Sequence, residues 1–173
     1  MTILFADVAG SVDLYSRLGD IQAHQQIGKF QQLLFMIIEE NHGRVIKVIG
    51  DEVMCAFDHA DAAFSAACYI QERLCHQQGH GLHVRIGFHS GMTSEHDNQP
   101  FGDTVNVAAR VVAIAKAGQI MLTDHSWQHL SPDNRQNTSV FDKVSMKGKS
   151  EPYTIHQATW DQNDRTVFCL LYT

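Results

Sequence analysis

Apolar residues follow two rhythms along this chain, one of strand type and one of helix type. Residues 3–7, Ile3-Leu4-Phe5-Ala6-Asp7, form a continuous apolar run that predicts a short buried strand stopping on a carboxylate. Residues 11–18 read as a short helix, and Asp20 is placed to cap a longer one. Along that longer helix Ile27, Phe30, Leu34, Ile37 and Ile38 recur at helical spacing, which predicts one greasy stripe lying on a sheet. Asn41-His42-Gly43 ends it. Residues 44–49 and 52–57 are β-rich runs joined by Gly50-Asp51, the pattern of an antiparallel hairpin with a tight turn. An Ala-rich helix over 58–75, a strand over 82–89, a helix over 104–116 and a strand over 119–122 follow. Beyond the loop signal Ser131-Pro132-Asp133-Asn134, residues 140–146 and 153–159 read as closing strands. Helices alternate with strands while at least two strand pairs are antiparallel. The predicted class is therefore α/β (α+β), with a mixed, mainly antiparallel sheet flanked by helices, close to the β-α-β-β-α-β ferredoxin-like plan.

Composition narrows the function more than the fold. A chain of 173 residues suits one domain with a substantial core. Its formal net charge of −6 argues against sequence-independent nucleic-acid binding, which needs a basic stripe, but leaves room for a nucleotide whose charge a metal offsets. Cys55, Cys68, Cys75 and Cys169 lack zinc-type spacing, and three of them lie in apolar surroundings where burial is expected. A reducing, cytoplasmic location fits that usage. The 11 histidines are scattered; His125 and His129 fall near a helix surface without a neighbouring ligand set, and solvated or packing roles are expected for all. No stretch is long and apolar enough to span a bilayer, and Asp7 interrupts the first apolar run, so no signal peptide is visible.

Candidate chemistry sits at the strand ends. Asp7, in Phe5-Ala6-Asp7-Val8-Ala9-Gly10-Ser11, and Asp51, in Ile49-Gly50-Asp51-Glu52, each close a strand-type run beside a Gly-containing turn. A buried strand can present such a carboxylate to a metal-bound phosphate; one such Asp alone is more often a turn-former or helix cap. A third element, Phe101-Gly102-Asp103-Thr104-Val105-Asn106-Val107-Ala108-Ala109-Arg110, begins at Asp103 as an expected N-cap. It sets Asn106 and Arg110 one turn apart on one face, while Val105, Ala108, Ala109 and Val112 are expected to cover the sheet. An amide and a guanidinium stacked in this way suit a sugar oxygen and developing phosphoryl charge, although a surface Arg in mid-helix is the commoner case.

Taken together, the strand-Asp of Phe5 to Ser11, the Lys47-Val48-Ile49-Gly50-Asp51 segment, the strand Arg85-Ile86-Gly87-Phe88-His89-Ser90-Gly91, the Asn106/Arg110 helix and the late Met146-Lys147-Gly148-Lys149 closely resemble the class III adenylate/guanylate cyclase catalytic domain, its bacterial adenylate-type members in particular. The motifs come in that family's order and reach from Thr2 to about Thr159, which implies a catalytic domain over 1–160 on a palm-type core. Residues 161–173 are left as a tail, a linker towards another domain, or a closing strand.

The resemblance implies roles residue by residue. Asp7 and Asp51 are the expected metal carboxylates, with the Val8 carbonyl as a further ligand for two Mg²⁺ or Mn²⁺ ions. The turn Ala9, Gly10, Ser11 and Val12 opens a helix whose free amides would face the β- and γ-phosphates. Asn106 matches the ribose-orienting residue, Arg110 the stabiliser of the pentavalent phosphate, and Lys147, or Lys149 if the loop is shifted, the basic residue that reaches the triphosphate. Lys47 matches the adenine-selecting lysine, whose ammonium only donates and so suits the acceptor N1 of adenine. Its usual partner is Asp or Thr; here Gln99 stands there, with Asp97 as the substitute in a displaced loop, which loosens the discrimination of ATP from GTP. In this family carboxylates come from one subunit and the base-selecting, Asn, Arg and Lys groups from the other, so a two-fold homodimer is implied, with room for covalently attached regulatory domains. Two alternatives stand beside the active adenylate cyclase. One is a diguanylate cyclase, ranked low because the doubled Gly before the acidic pair is missing; the other is a silent nucleotide-binding or dimerisation module.

Overall fold

The computed structural model describes residues 1–76, 82–96 and 99–161. Along the chain run β1 (Thr2–Ala9), α1 (Ser11–Leu18), α2 (Asp20–Glu40), β2 (Arg44–Ile49), β3 (Glu52–Phe57), α3 (Ala60–His76), β4 (His83–Ser90), β5 (Ser94–His96), β6 (Gln99–Phe101), α4 (Asp103–Ile114), β7 (Ile120–Thr123), α5 (Asp124–Gln128), α6 (Pro132–Arg135), β8 (Thr138–Val144) and β9 (Tyr153–Ala158). Seven strands make one sheet in the order β2-β3-β1-β4-β7-β9-β8. Within it β4 and β7 run parallel, and the other neighbouring pairs are antiparallel. This is the mixed, mainly antiparallel α/β (α+β) sheet expected from the sequence.

β1 lies between β3 and β4, and helices cover both of its faces, α2 and α3 on one side and α4 on the other. That is why its sequence is an unbroken apolar run instead of an alternating one. Leu4, Ala6 and Val8 point into the larger core with Val53, Val84, Ile86 and Phe88, beneath α2 and α3. Ile3 and Phe5 point the other way, against Met54 and Ala56 and against Ala108 and Val112 of α4. The five-residue stripe of α2, Ile27, Phe30, Leu34, Ile37 and Ile38, is at most 5% exposed throughout. Each such side chain stabilises by about 1.5–3 kcal/mol when fully buried, which outweighs the ~1 kcal/mol cost of Gly28 inside the helix. After Glu40 the helix stops because His42 takes a left-handed conformation, φ +60°, and Gly43 N–H donates to the Ile38 carbonyl at 2.8 Å.

Several expectations need correction. Asp20 and Asp103 are the first residues of their helices and not the caps; Gly19 and Gly102 hold those positions with positive φ, and no side chain caps either end. A glycine able to turn sharply lets the helix begin one residue early, and each Asp then acts on the helix dipole. Ala109 is exposed and does not cover the sheet; Val107 and Val111 are buried with Met121 and Ile155 instead. The short β5–β6 hairpin, with little apolar alternation, went unpredicted. Of the cysteines, Cys55 alone among the described three is buried, its thiol pKa pushed up by burial; Cys68 is half-buried and Cys75 exposed at the end of α3. Cys169 and the rest of 162–173 lie outside the described residues.

The contact between α4 and β4 is unusually close. A Cβ on Gly87 would lie 2.3 Å from the Val112 backbone nitrogen, so any side chain there must push α4 off the sheet. We expect Gly87→Ala to cost about 3 kcal/mol through overpacking, lowering the thermal midpoint by ~6–12 °C for a domain of this size. A melt unchanged within a degree would show that α4 can move without penalty.

Candidate active site

The last turns of β1 and the β2–β3 hairpin bring the two predicted carboxylates to one cleft. Asp7 sits opposite Glu52 on β3 and opposite Arg85 on β4, and is only 8% exposed. Arg85 Nε and Nη2 both donate to Asp7 Oδ2, at 2.8 and 2.6 Å. Both N–H groups converge on one oxygen, so Oδ1 stays outside that pairing. Burial raises the pKa of Glu52, Asp7 and Asp51 add to the rise, and Arg85 opposes it. The corner is therefore short of positive charge.

Asp51 is presented by the tight turn that the sequence predicts. Gly50 takes φ +62°, which glycine adopts most readily, and Gln31 Nε2 of α2 donates to its carbonyl at 2.9 Å. The turn is thereby tied to the helix layer. Asp51 Oδ2 is buried and has no hydrogen-bond partner, a situation that costs about 1–3 kcal/mol when nothing compensates it. A hard cation is the partner this oxygen suits.

Asp7, Val8, Ala9, Gly10, Ser11, Val12, Asp13, Asp51 and Arg85 border one cleft of about 530 Å³, closed on its far side by Ala115, Lys116 and Ala117 after α4. Gly10, φ +70°, turns the chain into α1, whose first intrahelical bond is Leu14 N–H to the Gly10 carbonyl. The amides of Ser11, Val12 and Asp13 consequently lack intrahelical acceptors, at the positive end of the helix dipole. Among the described residues no set of three or more His, Cys, Asp or Glu could hold a metal. Two carboxylates and a backbone carbonyl would need further oxygens from phosphate or water, which is how Mg²⁺ is usually held.

The other predicted residues occupy different ground. Asn106 is exposed and Arg110 half-buried on the outer face of α4, opposite to the face packed on the sheet. Arg110 Nη1 donates to the Lys147 carbonyl at 2.6 Å, and Lys149 pairs with Asp103. The β8–β9 connection is thus tied to α4, with the Lys147 side chain exposed. Lys47 is exposed on β2, beside a register shift between Val45 and Lys47, and Gln99 is exposed on β6. None of these six, Asn106, Arg110, Lys147, Lys149, Lys47 and Gln99, borders the cleft; Asp97 lies outside the described residues. One chain therefore carries two separate polar groupings.

Sequence reasoning passed over Arg85, Asp13 and Lys116, all of which border the cleft. A signal for Arg85 existed. A lone charge in the strand Val84-Arg85-Ile86-Gly87-Phe88 must find a counter-ion if the strand is central, and Asp7 is the nearest candidate.

Residues 1–157 match the profile of the adenylate and guanylate cyclase catalytic domain. The chain belongs to that family. An adenylate cyclase of Anabaena cylindrica is 30% identical across 91% of this chain, which spans 36% of that protein. A receptor-type adenylate cyclase B of Leishmania donovani is 27% identical across 78% of the chain and 13% of its own length. The chain thus spans about a third or less of these curated relatives. Among solved structures, an adenylate/guanylate cyclase/hydrolase from Silicibacter pomeroyi superposes with a TM-score of 0.82 at 28% identity, covering 92% of this chain and 96% of that one. Among the described residues of this cyclase domain, no helix is long and apolar enough to cross a membrane.

The unpaired oxygen of Asp51 yields a test independent of activity. Mn²⁺ should raise the melting temperature of the wild-type domain, by about 1.4 kcal/mol of stability at tenfold excess over its Kd. Asp51→Asn should remove most of that gain. An equal gain in the variant would place the ion elsewhere.

Proposed function

We propose that this domain is an adenylate cyclase, converting ATP to 3′,5′-cyclic AMP and pyrophosphate at two sites shared across a homodimer. The observation that carries the reading is the cleft in which Asp7, Asp51 and the amino end of α1 meet, with an unpartnered carboxylate oxygen inside. Asp7, Asp51 and the Val8 carbonyl would hold two divalent cations, Mg²⁺ or Mn²⁺. Bound cations supply charge neutralisation and lower the pKa of the ribose 3′-hydroxyl.

The chain's own groups do the positioning. Backbone amides at Ala9, Gly10, Ser11 and Val12 face the β- and γ-phosphates at the helix end, and Arg85 adds a guanidinium in the same cleft. From the neighbouring subunit, Asn106 orients the ribose and Arg110 meets the charge that develops on the α-phosphate. Its tie to the Lys147 carbonyl fixes the Arg110 guanidinium beside the backbone of Lys147, whose exposed side chain would reach the triphosphate. The new bond joins the 3′-oxygen to the α-phosphorus, the bond to pyrophosphate breaks, and the 3′-hydroxyl proton leaves through Asp7 or a phosphate oxygen. Lys47 reads the acceptor N1 of adenine and so favours ATP, while Gln99, with both a donor and an acceptor, adds little discrimination against GTP.

Sharing is what the separation of the two groupings supports. The exposed face of α4 that carries Asn106 and Arg110 cannot serve the cleft of its own chain, and a two-fold partner would complete both sites. Purified protein with Mn²⁺ and ATP should release cyclic AMP and pyrophosphate in equal amounts; nucleotide binding without either product would leave a silent module. Asp51→Ala and Arg110→Ala should each lose at least about 100-fold in turnover. Mixed one to one with free subunit exchange, they should recover about a quarter of wild-type activity, since half the dimers are mixed and each has one intact site. No recovery after verified exchange would refute the shared site.

A further inference from the structure

At the opposite end of β1 from Asp7, a second pocket of about 400 Å³ is bordered by Met1, Asp58, Asp61, Ser90, His125 and His129, among others. Thr2, on its rim, is five residues from Asp7 along the strand, roughly 17 Å at ~3.3 Å per residue. The pocket is therefore not part of the cleft described above.

His125 and His129 stand four apart, on α5 and at its C-cap, with ring centroids 4.9 Å apart. Each ring is held through Nδ1. His125 Nδ1 lies 2.8 Å from the Ser90 carbonyl and His129 Nδ1 lies 2.7 Å from the His125 carbonyl. A carbonyl only accepts, so both Nδ1 atoms donate, and Nε2 is the ring nitrogen left for a ligand bond. This is how second-shell carbonyls orient histidines that bind metals, and two His at i,i+4 on one helical turn is an established metal-ligand spacing.

The surroundings favour a cation. His89 is buried, its ring 5.8 Å from His125 and its Nδ1 2.7 Å from Thr123 Oγ1. Asp58 and Asp61 border the pocket with negative charge. The Asp61 carboxylate is fixed by Ser131 N–H at 3.0 Å and Asn134 Nδ2 at 2.6 Å. With no third His, Cys, Asp or Glu converging among the described residues, water would fill the other positions, giving an exchangeable site and not a closed structural one. Imidazole pairs select zinc, copper or nickel over magnesium or calcium.

We propose that His125 and His129 chelate a zinc-class divalent ion through their Nε2 atoms, at a site separate from the cleft of Asp7 and Asp51. The test is calorimetric titration of the purified chain with zinc chloride in excess Mg²⁺, which occupies oxygen sites and competes poorly for imidazole. One Zn²⁺ per chain should bind. His125→Asn and His129→Asn keep a donor near the carbonyl but lack Nε2, and each should weaken Zn²⁺ at least about tenfold, whereas Asp7→Asn should leave it unchanged. Should either His variant melt early without metal, Cu²⁺ bound to the wild type decides: its electron paramagnetic resonance should show two coordinating nitrogens. The proposal is overturned by absent stoichiometric binding, by wild-type affinity in folded His variants, by loss in Asp7→Asn, or by fewer than two nitrogens.

Discussion

A carboxylate at the end of a strand buried on both faces is the constraint from which the rest of the site follows. Asp7 cannot relax into solvent, because β3 and β4 flank it and the register fixes Glu52 and Arg85 as its neighbours. A charge so placed must be paired, since an isolated buried carboxylate is costly. Arg85 meets that need with two hydrogen bonds to one oxygen. Yet three carboxylates, Asp7, Asp51 and Glu52, act on this corner, and burial with mutual repulsion already raises the Glu52 pKa. One guanidinium cannot balance them all. The geometry calls for further positive charge, and the amino end of α1 supplies only the partial charge of a dipole.

Rigidity comes from the opposite side of the sheet. Gly87 lets α4 settle against β4, and Val107, Val111 and Val112 bury the helix's inner face. Its outer face is thereby fixed as well, with Asn106 and Arg110 facing away from the sheet. Arg110 and Lys149 clamp the β8–β9 connection onto that helix through the Lys147 carbonyl and Asp103. One apolar contact thus sets the position of a polar surface a helix diameter away, and it does so without a loop that could drift.

Much of this was legible in the sequence because period and burial agree. The stripe of α2 and the β2–β3 hairpin with Asp51 in its turn followed from apolar spacing and turn residues, whereas β1 does not stop on Asp7 but runs on to Ala9, held there by its pairing with β4. What escaped depended on tertiary neighbours. Arg85 gained its meaning only from the register that puts it opposite Asp7, and no local rule supplies register across 78 residues of separation. Gly19 and Gly102 displaced Asp20 and Asp103 from the cap positions because a glycine's freedom of φ competes with side-chain capping, and sequence alone does not say which prevails. The β5–β6 hairpin carries too few apolar residues to show a period. The carbonyl that His125 Nδ1 meets belongs to Ser90, 35 residues away, a partner no local rule supplies.

The division of polar residues within one chain follows from the same sheet geometry. The cleft opens where β1 ends and α4 has given way to Ala115, Lys116 and Ala117, while the outer face of α4 is separated from it by the body of the helix. A helix packed through backbone contact at Gly87 cannot rotate to present Arg110 to Asp7 without exposing Val107 and Val111, at about 1.5–3 kcal/mol for each. Rotation within the chain is thus opposed by about 3–6 kcal/mol, and the shared site proposed above requires no such rotation. The burial energy that holds α4 in place is what keeps its outer face, with Asn106 and Arg110, turned away from the cleft.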